Sequence, residues 1–179
     1  LASAATVHAD ALNPVKNDST ADLARAAQNP VAAMISVPFQ NNLQILEDGT
    51  VFNALLIQPV VPFRLNADWN LISRTIVPVL AVSSAVPGFD KWGLGDIQQS
   101  LFFSPRLPTS NGILWGVGPV ISAPSATEPI YGSGKWSAGA GLVGLTMTGP
   151  WVIGALLNNV WSFAGASDRA AVSQMTLQP

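Results

Sequence analysis

The stretch "DWNLISRTIVPVLAV", Asp68–Val82, is informative because a lone arginine lies inside an apolar run. With the period of two of a β-strand, one face carries Trp69, Leu71, Ser73, Thr75, Val77 and Val79. The opposite face carries Asn70, Ile72, Arg74 and Ile76. An arginine that faces lipid at the middle of a bilayer costs about 2–4 kcal/mol, whereas one that faces a wet lumen costs little. The stretch therefore predicts a membrane-spanning strand with Arg74 inside a barrel, near Gln58 and Arg64 of the preceding strand.

Eight runs of this kind follow Pro30, separated by clusters of turn-forming residues, and we interpret each run as a strand. They cover about Ala32–Asn41, Val51–Arg64, Trp69–Ala81, Asp96–Ser104, Gly112–Ser122, Trp136–Met147, Trp151–Phe163 and Ala171–Gln178. Their lengths are near the ~9–11 residues with which a tilted strand crosses a bilayer. The runs predict an all-β fold, an antiparallel transmembrane-type β-barrel with about eight strands.

The connections between the runs alternate in length. Leu65–Asp68 and Thr148–Pro150 are short, whereas Val82–Gly95 and Ala123–Lys135 are long. Transmembrane β-barrels have this asymmetry, with tight turns on the periplasmic side and longer loops outside. We therefore expect the short turns on one side of a membrane and the long loops on the other.

Three residue types bear on the barrel interpretation. Four tryptophans stand at or near run starts, where an interfacial aromatic girdle would lie: Trp69, Trp115, Trp136 and Trp151. Small residues fall on the predicted inner faces: Gly116, Gly118, Gly139 and Gly141. Prolines inside the runs are the main evidence against regular strands, because proline cannot donate to the ladder: Pro38, Pro59, Pro62, Pro78 and Pro119. We expect bulges or barrel rims to hold them.

Composition narrows the classes of function. Charged residues make up 10 % of the chain, against roughly 25 % in an average globular protein, and the net charge of -2 does not suggest nucleic-acid binding. The chain has no cysteine, so thiolate catalysis and zinc–thiolate sites are excluded. The one histidine, His8, lies in the N-terminal segment and is a poor base for a serine nucleophile. We expect neither an enzyme nor a cofactor or metal site.

The first 30 residues differ from the rest of the chain. "DSTADLARAAQNP" predicts a short helix over Ser19–Gln28, since Ser19 or Thr20 can cap it and Asn29-Pro30 ends it. The predicted organisation is an N-terminal segment over 1–30, periplasmic or lumenal, followed by barrel strands over 31–179.

Several longer stretches resemble a known family: "LARAAQNPVAAMISVPFQNN", "IQPVVPFRLNADWNLISRTIVPV", "GLGDIQQSLFFSP", "GKWSAGAG" and "GPWVIGALLNNVWSFAG". From about Asp22 to Pro179 the chain resembles bacterial outer-membrane β-barrel transporters related to proteins associated with phenol meta-pathway degradation. The resemblance implies a Gram-negative precursor with a signal peptide, an outer-membrane barrel and passage of small molecules, including hydrophobic or aromatic ones. Members of the family continue past "LQP", so the resemblance implies a longer protein with more strands.

The polar residues on the predicted inner faces are the candidates for a lumen or substrate path: Gln58, Arg64, Asn70, Arg74, Gln98 and Asn158. In an eight-stranded barrel the interior side chains just fill the lumen, so these residues would bond one another and plug it. Further strands would make a channel.

Passive transport, with membrane lipid and small solutes as partners, is the function that we expect. The alternative is a structural or assembly subunit without transport, whose apolar face meets other chains or further copies of itself.

Two other folds compete with the barrel. Trp136–Ser167 carries no charge and is long enough for a transmembrane helix of ~20 residues, although Gly149-Pro150 and Asn158-Asn159 interrupt it. A soluble β-sandwich would need more charge on its outer face than these runs provide.

Overall fold

The computed structural model of the chain describes residues 35–83, 91–148 and 151–178. These residues form ten strands and no helix: β1 (Phe39–Ile45), β2 (Val51–Ile57), β3 (Val60–Arg64), β4 (Trp69–Ser83), β5 (Lys91–Leu94), β6 (Ile97–Pro105), β7 (Ile113–Ala123), β8 (Lys135–Thr148), β9 (Trp151–Gly165) and β10 (Ser173–Gln178). The predicted antiparallel β fold is confirmed. The predicted helix Ser19–Gln28, like the whole segment 1–30 that contains His8, lies outside the described residues.

The strands form one antiparallel sheet in the order β1-β2-β4-β6-β7-β8-β9-β10. β3 continues the line of β2, and β5 leads into β6. The short strands β3 and β5 also pair with β4. The ten strands therefore make eight ribbons that follow one another as a meander. The sheet is curled into a half-barrel, whose two edge strands are β1 and β10.

Pro59 and Pro78 lie where two of the ribbons are interrupted, whereas Pro62 and Pro119 lie inside the ladders of β3 and β7, opposite Ile72 and Ala140. Gln58 and Pro59 separate β2 from β3. Pro78 of β4 lies opposite Leu56 of β2. At the same level Gly95, which separates β5 from β6, donates its amide to the Pro78 carbonyl at 2.9 Å. Since proline has no N–H for the ladder, breaks in the ribbons accommodate Pro59 and Pro78.

Three expectations need correction. The first strand is Phe39–Ile45 instead of Ala32–Asn41, and the connection after it shortens to residues 46–50. Val51–Arg64 is two strands, because of Pro59. The helical interpretation of Trp136–Ser167 is wrong, since this stretch forms β8 and β9. No helix in the described part of the chain is long and apolar enough to cross a membrane.

The turn between β1 and β2 has the Asp-Gly chemistry typical of tight hairpins. Gly49 has φ of +80°, a left-handed conformation that glycine adopts without steric cost. The Thr50 amide donates to Asp48 Oδ1 at 2.9 Å. This bond lowers the pKa of the Asp48 carboxyl below its ordinary value.

The two faces of the sheet differ in chemistry. Large apolar side chains are exposed on the convex face, including Phe39, Leu43, Ile45, Phe103, Val117, Leu142, Ile153, Leu157, Met175 and Leu177. The concave face holds the buried apolar cluster together with the buried polar side chains. We call the end of the half-barrel with connections 65–68 and 106–112 the turn end, and the end with connections 46–50, 124–134 and 166–172 the loop end.

Candidate binding site on the concave face

The alternation along β4 sets the two faces at the centre of the sheet. Asn70, Ile72 and Arg74 are buried on the concave side, whereas Trp69 is partly exposed on the convex side. The cross-strand partners of the three concave residues on β6 are Ser104, Phe102 and Ser100, all fully buried. The face that the sequence analysis gave to Arg74 is therefore the concave one.

An apolar plug fills the concave side toward the turn end. Its members are Val60, Ile72, Phe102, Val143, Leu145 and Leu156. Phe102 is 1 % exposed and lies over glycines of the neighbouring ribbons. A Cβ on Gly141 would lie 2.9 Å from its ring, and one on Gly116 would lie 3.3 Å from its Cβ. Two of the four glycines predicted for the inner faces, Gly116 and Gly141, thus make room for the Phe102 side chain.

Arg74 lies next to this plug, at mid-depth, and bonds to neutral amides. Its Nη2 donates to Gln58 Oε1 and, at 3.0 Å, to Gln178 Oε1 of β10. Gln58 Nε2 donates to Gln40 Oε1 at 3.2 Å, and Gln40 Nε2 donates to Asn42 Oδ1 at 3.1 Å. The amide dipoles therefore all point the same way, away from the guanidinium, and the network connects β4 to both edge strands.

A cavity of about 430 Å³ lies on the concave side between Arg74 and the loop end. Its volume is in the range of small-molecule pockets. Glutamine and apolar side chains both line it, among them Ile76, Pro78, Gln98, Val160, Gln174 and Gln178. Gln178 also accepts the bond from Arg74, so the guanidinium lies behind the wall that Gln178 forms and does not itself line the cavity.

The connection 124–134 folds back over the cavity. Its residues Ile130, Tyr131, Gly132 and Ser133 are part of the cavity lining. Tyr131 is 6 % exposed and packs against Gly93, where a Cβ would lie 2.9 Å from the ring. Glycine at this position of β5 thus leaves the space that the tyrosine ring occupies.

Two charged side chains hold this connection in place. Asp96 accepts bonds from the Ser133 amide and hydroxyl, both at 2.7 Å, and from the Ala126 amide at 3.3 Å. Arg169 donates to the carbonyls of Pro129 and Gly132. The loop is therefore fixed to the β5–β6 ribbon and to the connection 166–172.

Several buried polar atoms of the concave face have no hydrogen-bond partner among the described residues. They are Arg74 Nη1, Ser100 Oγ, Asn158 Oδ1 and Tyr131 Oη. Buried polar groups are normally satisfied, so each such atom points to a ligand or to water. Ser100 lies directly opposite Arg74 in the β4–β6 register, so two of these atoms belong to neighbouring residues.

The predicted site residues divide into three groups. Gln58 and Arg74 are buried and bonded to each other. Gln98 lines the cavity, while Asn70 and Asn158 are buried on the concave face. Arg64 alternates onto the same face but is exposed at the turn end, where its Nε donates to the Asn66 carbonyl at 3.4 Å. Arg64 is therefore remote from the cavity and does not join Arg74.

Four residues of the site were not predicted from the sequence: Gln40, Gln178, Asp96 and Tyr131. The period of two that located Arg74 places Gln174, Thr176 and Gln178 on one face of the last run, so this signal was present for Gln178. For Tyr131 no comparable signal exists, because it lies in a loop.

No group of three or more His, Cys, Asp or Glu side chains in residues 35–83, 91–148 and 151–178 is placed to hold a metal ion. Comparison with models of protein families, with curated proteins and with solved structures found no match to this chain.

Proposed function

We propose that this chain is part of an outer-membrane β-barrel that carries small molecules, including hydrophobic or aromatic ones, by passive transport. The observation that supports the proposal best is the distribution of charge over the sheet. The four charged residues of the described strands all alternate onto the concave face: Arg64, Arg74, Lys91 and Lys135. A convex face without charge suits lipid, in which a charged side chain is costly.

Two rows of tryptophans on the convex face support the proposal, because membrane barrels carry an aromatic row at each interface. Trp69, Trp115 and Trp151 lie toward the turn end, and Trp92, Trp136 and Trp161 lie toward the loop end. Trp151 and Trp161 are ten residues apart on β9. At about 3.3 Å per residue and a tilt of ~45°, the rows are roughly 23 Å apart, close to the ~25 Å apolar band of such barrels.

Three of the polar side chains at mid-depth on the convex face bond to one another, whereas Asn159 Oδ1 on the same face has no partner among the described residues. Thr75 Oγ1 donates to Gln99 Oε1 at 2.7 Å, and Gln99 Nε2 donates to Ser73 Oγ at 2.9 Å. In the hydrocarbon region every polar group needs such an internal partner. This patch is therefore compatible with contact to lipid.

Purified full-length protein in a planar lipid bilayer tests transport. We expect extraction from membranes only with detergent, and stepwise conductance after reconstitution. A heat-denatured sample of the same preparation is the control. Protein that leaves the membrane fraction with high salt alone, or that inserts stably without any conductance, contradicts transport.

The edge strands favour the second candidate, an assembly subunit. β1 and β10 each pair with a neighbour on one side only within the described sheet, and both expose apolar side chains, Phe39 and Leu43 on β1 and Met175 and Leu177 on β10. An unpaired edge is costly in lipid, so the transport proposal requires that other strands pair with both edges. Stable oligomers without conductance would favour the assembly subunit.

A further inference from the structure

We propose that the concave cavity binds small organic anions, whose carboxylate is held at Arg74. The inference rests on the proposed function, because it names a chemical class of solute for the same cavity. It follows from the charge behind the Gln178 wall of the cavity, the unpartnered donors beside that charge, and the chemistry of the walls.

The charge of Arg74 has no acidic partner in the sheet. Its side chain is buried, with 7 % exposure, and none of the ten described strands contains Asp or Glu. Its hydrogen bonds go to the neutral oxygens of Gln58 and Gln178. A buried charge is costly unless it is paired, and a guanidinium binds a carboxylate through two parallel N–H donors.

The donors that an anion would use are free. Arg74 Nη1 and Ser100 Oγ are buried without partners, and the two residues lie opposite each other on β4 and β6. The side chain of Gln98, one step further toward the loop end on β6, lines the cavity and offers an amide. Since neither Arg74 nor Ser100 lines the cavity, a carboxylate would reach this pair by taking the place of the Gln178 amide oxygen, and would there meet a positive charge and a hydroxyl from adjacent ribbons.

The space above Arg74 suits the rest of a small organic molecule. The cavity measures about 430 Å³, and its walls include Leu56, Ile76, Pro78 and Val160, on which an apolar body would pack. Asp96 is the one acid among the described lining residues. Its carboxylate already accepts bonds from Ser133 and Ala126, so it is directed at the loop.

Benzoate and benzamide are the matched probes, because they share a ring and differ in charge. Isothermal titration calorimetry of the full chain in detergent micelles measures both. We expect benzoate to bind at least about tenfold more tightly than benzamide, as a charge-assisted bidentate bond predicts. Equal affinities, or no binding of benzoate, would overturn the inference.

Three variants test whether the anion binds at Arg74. Arg74→Gln should remove the preference for benzoate, whereas Arg64→Gln, at the exposed turn end, should leave it unchanged. If Arg74→Gln does not fold, Gln98→Glu decides, since a carboxylate beside the site should weaken benzoate at least about tenfold and spare benzamide. A preference for benzoate that survives in folded Arg74→Gln, or in Gln98→Glu, would overturn the site.

The titration tests the anion site and the bilayer experiment tests transport, so the two proposals can be contradicted independently. If benzoate does not bind while conductance persists, the anion site is wrong and the transport proposal stands. If benzoate binds at Arg74 while conductance is absent, the site stands and transport is wrong.

Discussion

At the residue scale, adjacent positions on one strand meet different surroundings. Arg74 is buried and bonded through Gln58 and Gln178, whereas Thr75, the next residue, is on the convex face. Because side chains alternate along a strand, a register shift of one residue would exchange the two environments. Single substitutions on the two faces therefore report the register directly.

An arginine introduced on each face, at the same depth, separates the two environments. Val77 faces outward on β4, and Gln98, opposite its neighbour Ile76, faces the cavity. We expect Val77→Arg to destabilise the folded protein by about 2–4 kcal/mol, and Gln98→Arg to cost much less, since the cavity is lined in part by glutamines and has room for the side chain. Urea titration of folding into lipid vesicles measures both variants. A reversed order of the two costs would mean that the faces are exchanged.

Two glycines give a second matched pair. A Cβ on Gly118 of β7 would lie 1.7 Å from the carbonyl oxygen of Leu101, whereas nothing lies within 4 Å of a Cβ on Gly144 of β8. Gly118→Ala should therefore destabilise the fold by about 1–3 kcal/mol, through displacement of the neighbouring backbone. Gly144→Ala should be close to neutral in the same urea titration. Equal effects would contradict the close approach of β6 and β7.

At the scale of the elements, β6, β7 and β8 contribute to the apolar plug, and the connection 124–134 covers the cavity. Phe102 reaches from β6 across Gly116 and Gly141 on the two next ribbons. The connection 124–134 covers the cavity from the other side and depends on Asp96 and Arg169 for its position. The cavity is thus bounded at one end by strands and at the other by a loop.

Neighbouring phenylalanines test the plug. Phe102 is 1 % exposed on the concave side, and Phe103 is 43 % exposed on the convex side. Phe102→Ala should raise single-channel conductance in a planar bilayer, because it removes the ring that blocks the interior, and should cost about 3–5 kcal/mol of stability. Phe103→Ala should leave conductance unchanged. Unaltered conductance in folded Phe102→Ala would contradict the plug.

The connections predict the sidedness of the chain in a membrane. Residues 65–68 and 106–112 lie at the turn end, and 46–50, 124–134 and 166–172 lie at the loop end. The chain has no cysteine, so single cysteines at Asn66 and Ser110 can be compared with ones at Glu128 and Asp168. We expect a membrane-impermeant maleimide to label whole cells at Glu128→Cys and Asp168→Cys only. Labelling at Asn66→Cys and Ser110→Cys alone would invert the topology.

Part of this arrangement could be predicted from the sequence. Alternation of apolar and polar residues located the strands and the face of Arg74, because each face of a strand has one environment. The shift of the first strand to Phe39–Ile45 and the break at Pro59 could not be predicted, since strand limits depend on the pairing partner. The inward fold of Tyr131 depends on Asp96 and Arg169, far away in sequence, and no local pattern encodes it.

At the scale of the whole molecule, the half-barrel has a convex face whose described strands carry no charge, and a concave face that holds an apolar cluster and buried polar side chains. The bond from Arg74 to Gln178 connects the fourth strand to the last across the concave side, which a flat sheet would not allow. The two tryptophan rows lie toward the two ends of the half-barrel, and within the described sheet β1 and β10 each pair with one neighbour only. Contact of the convex face with lipid is the central claim on which the transport proposal depends.

Tryptophan fluorescence in vesicles with brominated lipids tests this claim most directly. All six tryptophans lie on the convex face, in two rows near the predicted membrane interfaces. We expect strong quenching by lipids brominated near the headgroups, weaker quenching by lipids brominated near the chain ends, and little quenching by aqueous iodide. Strong quenching by iodide together with no effect of brominated lipids would contradict the membrane barrel.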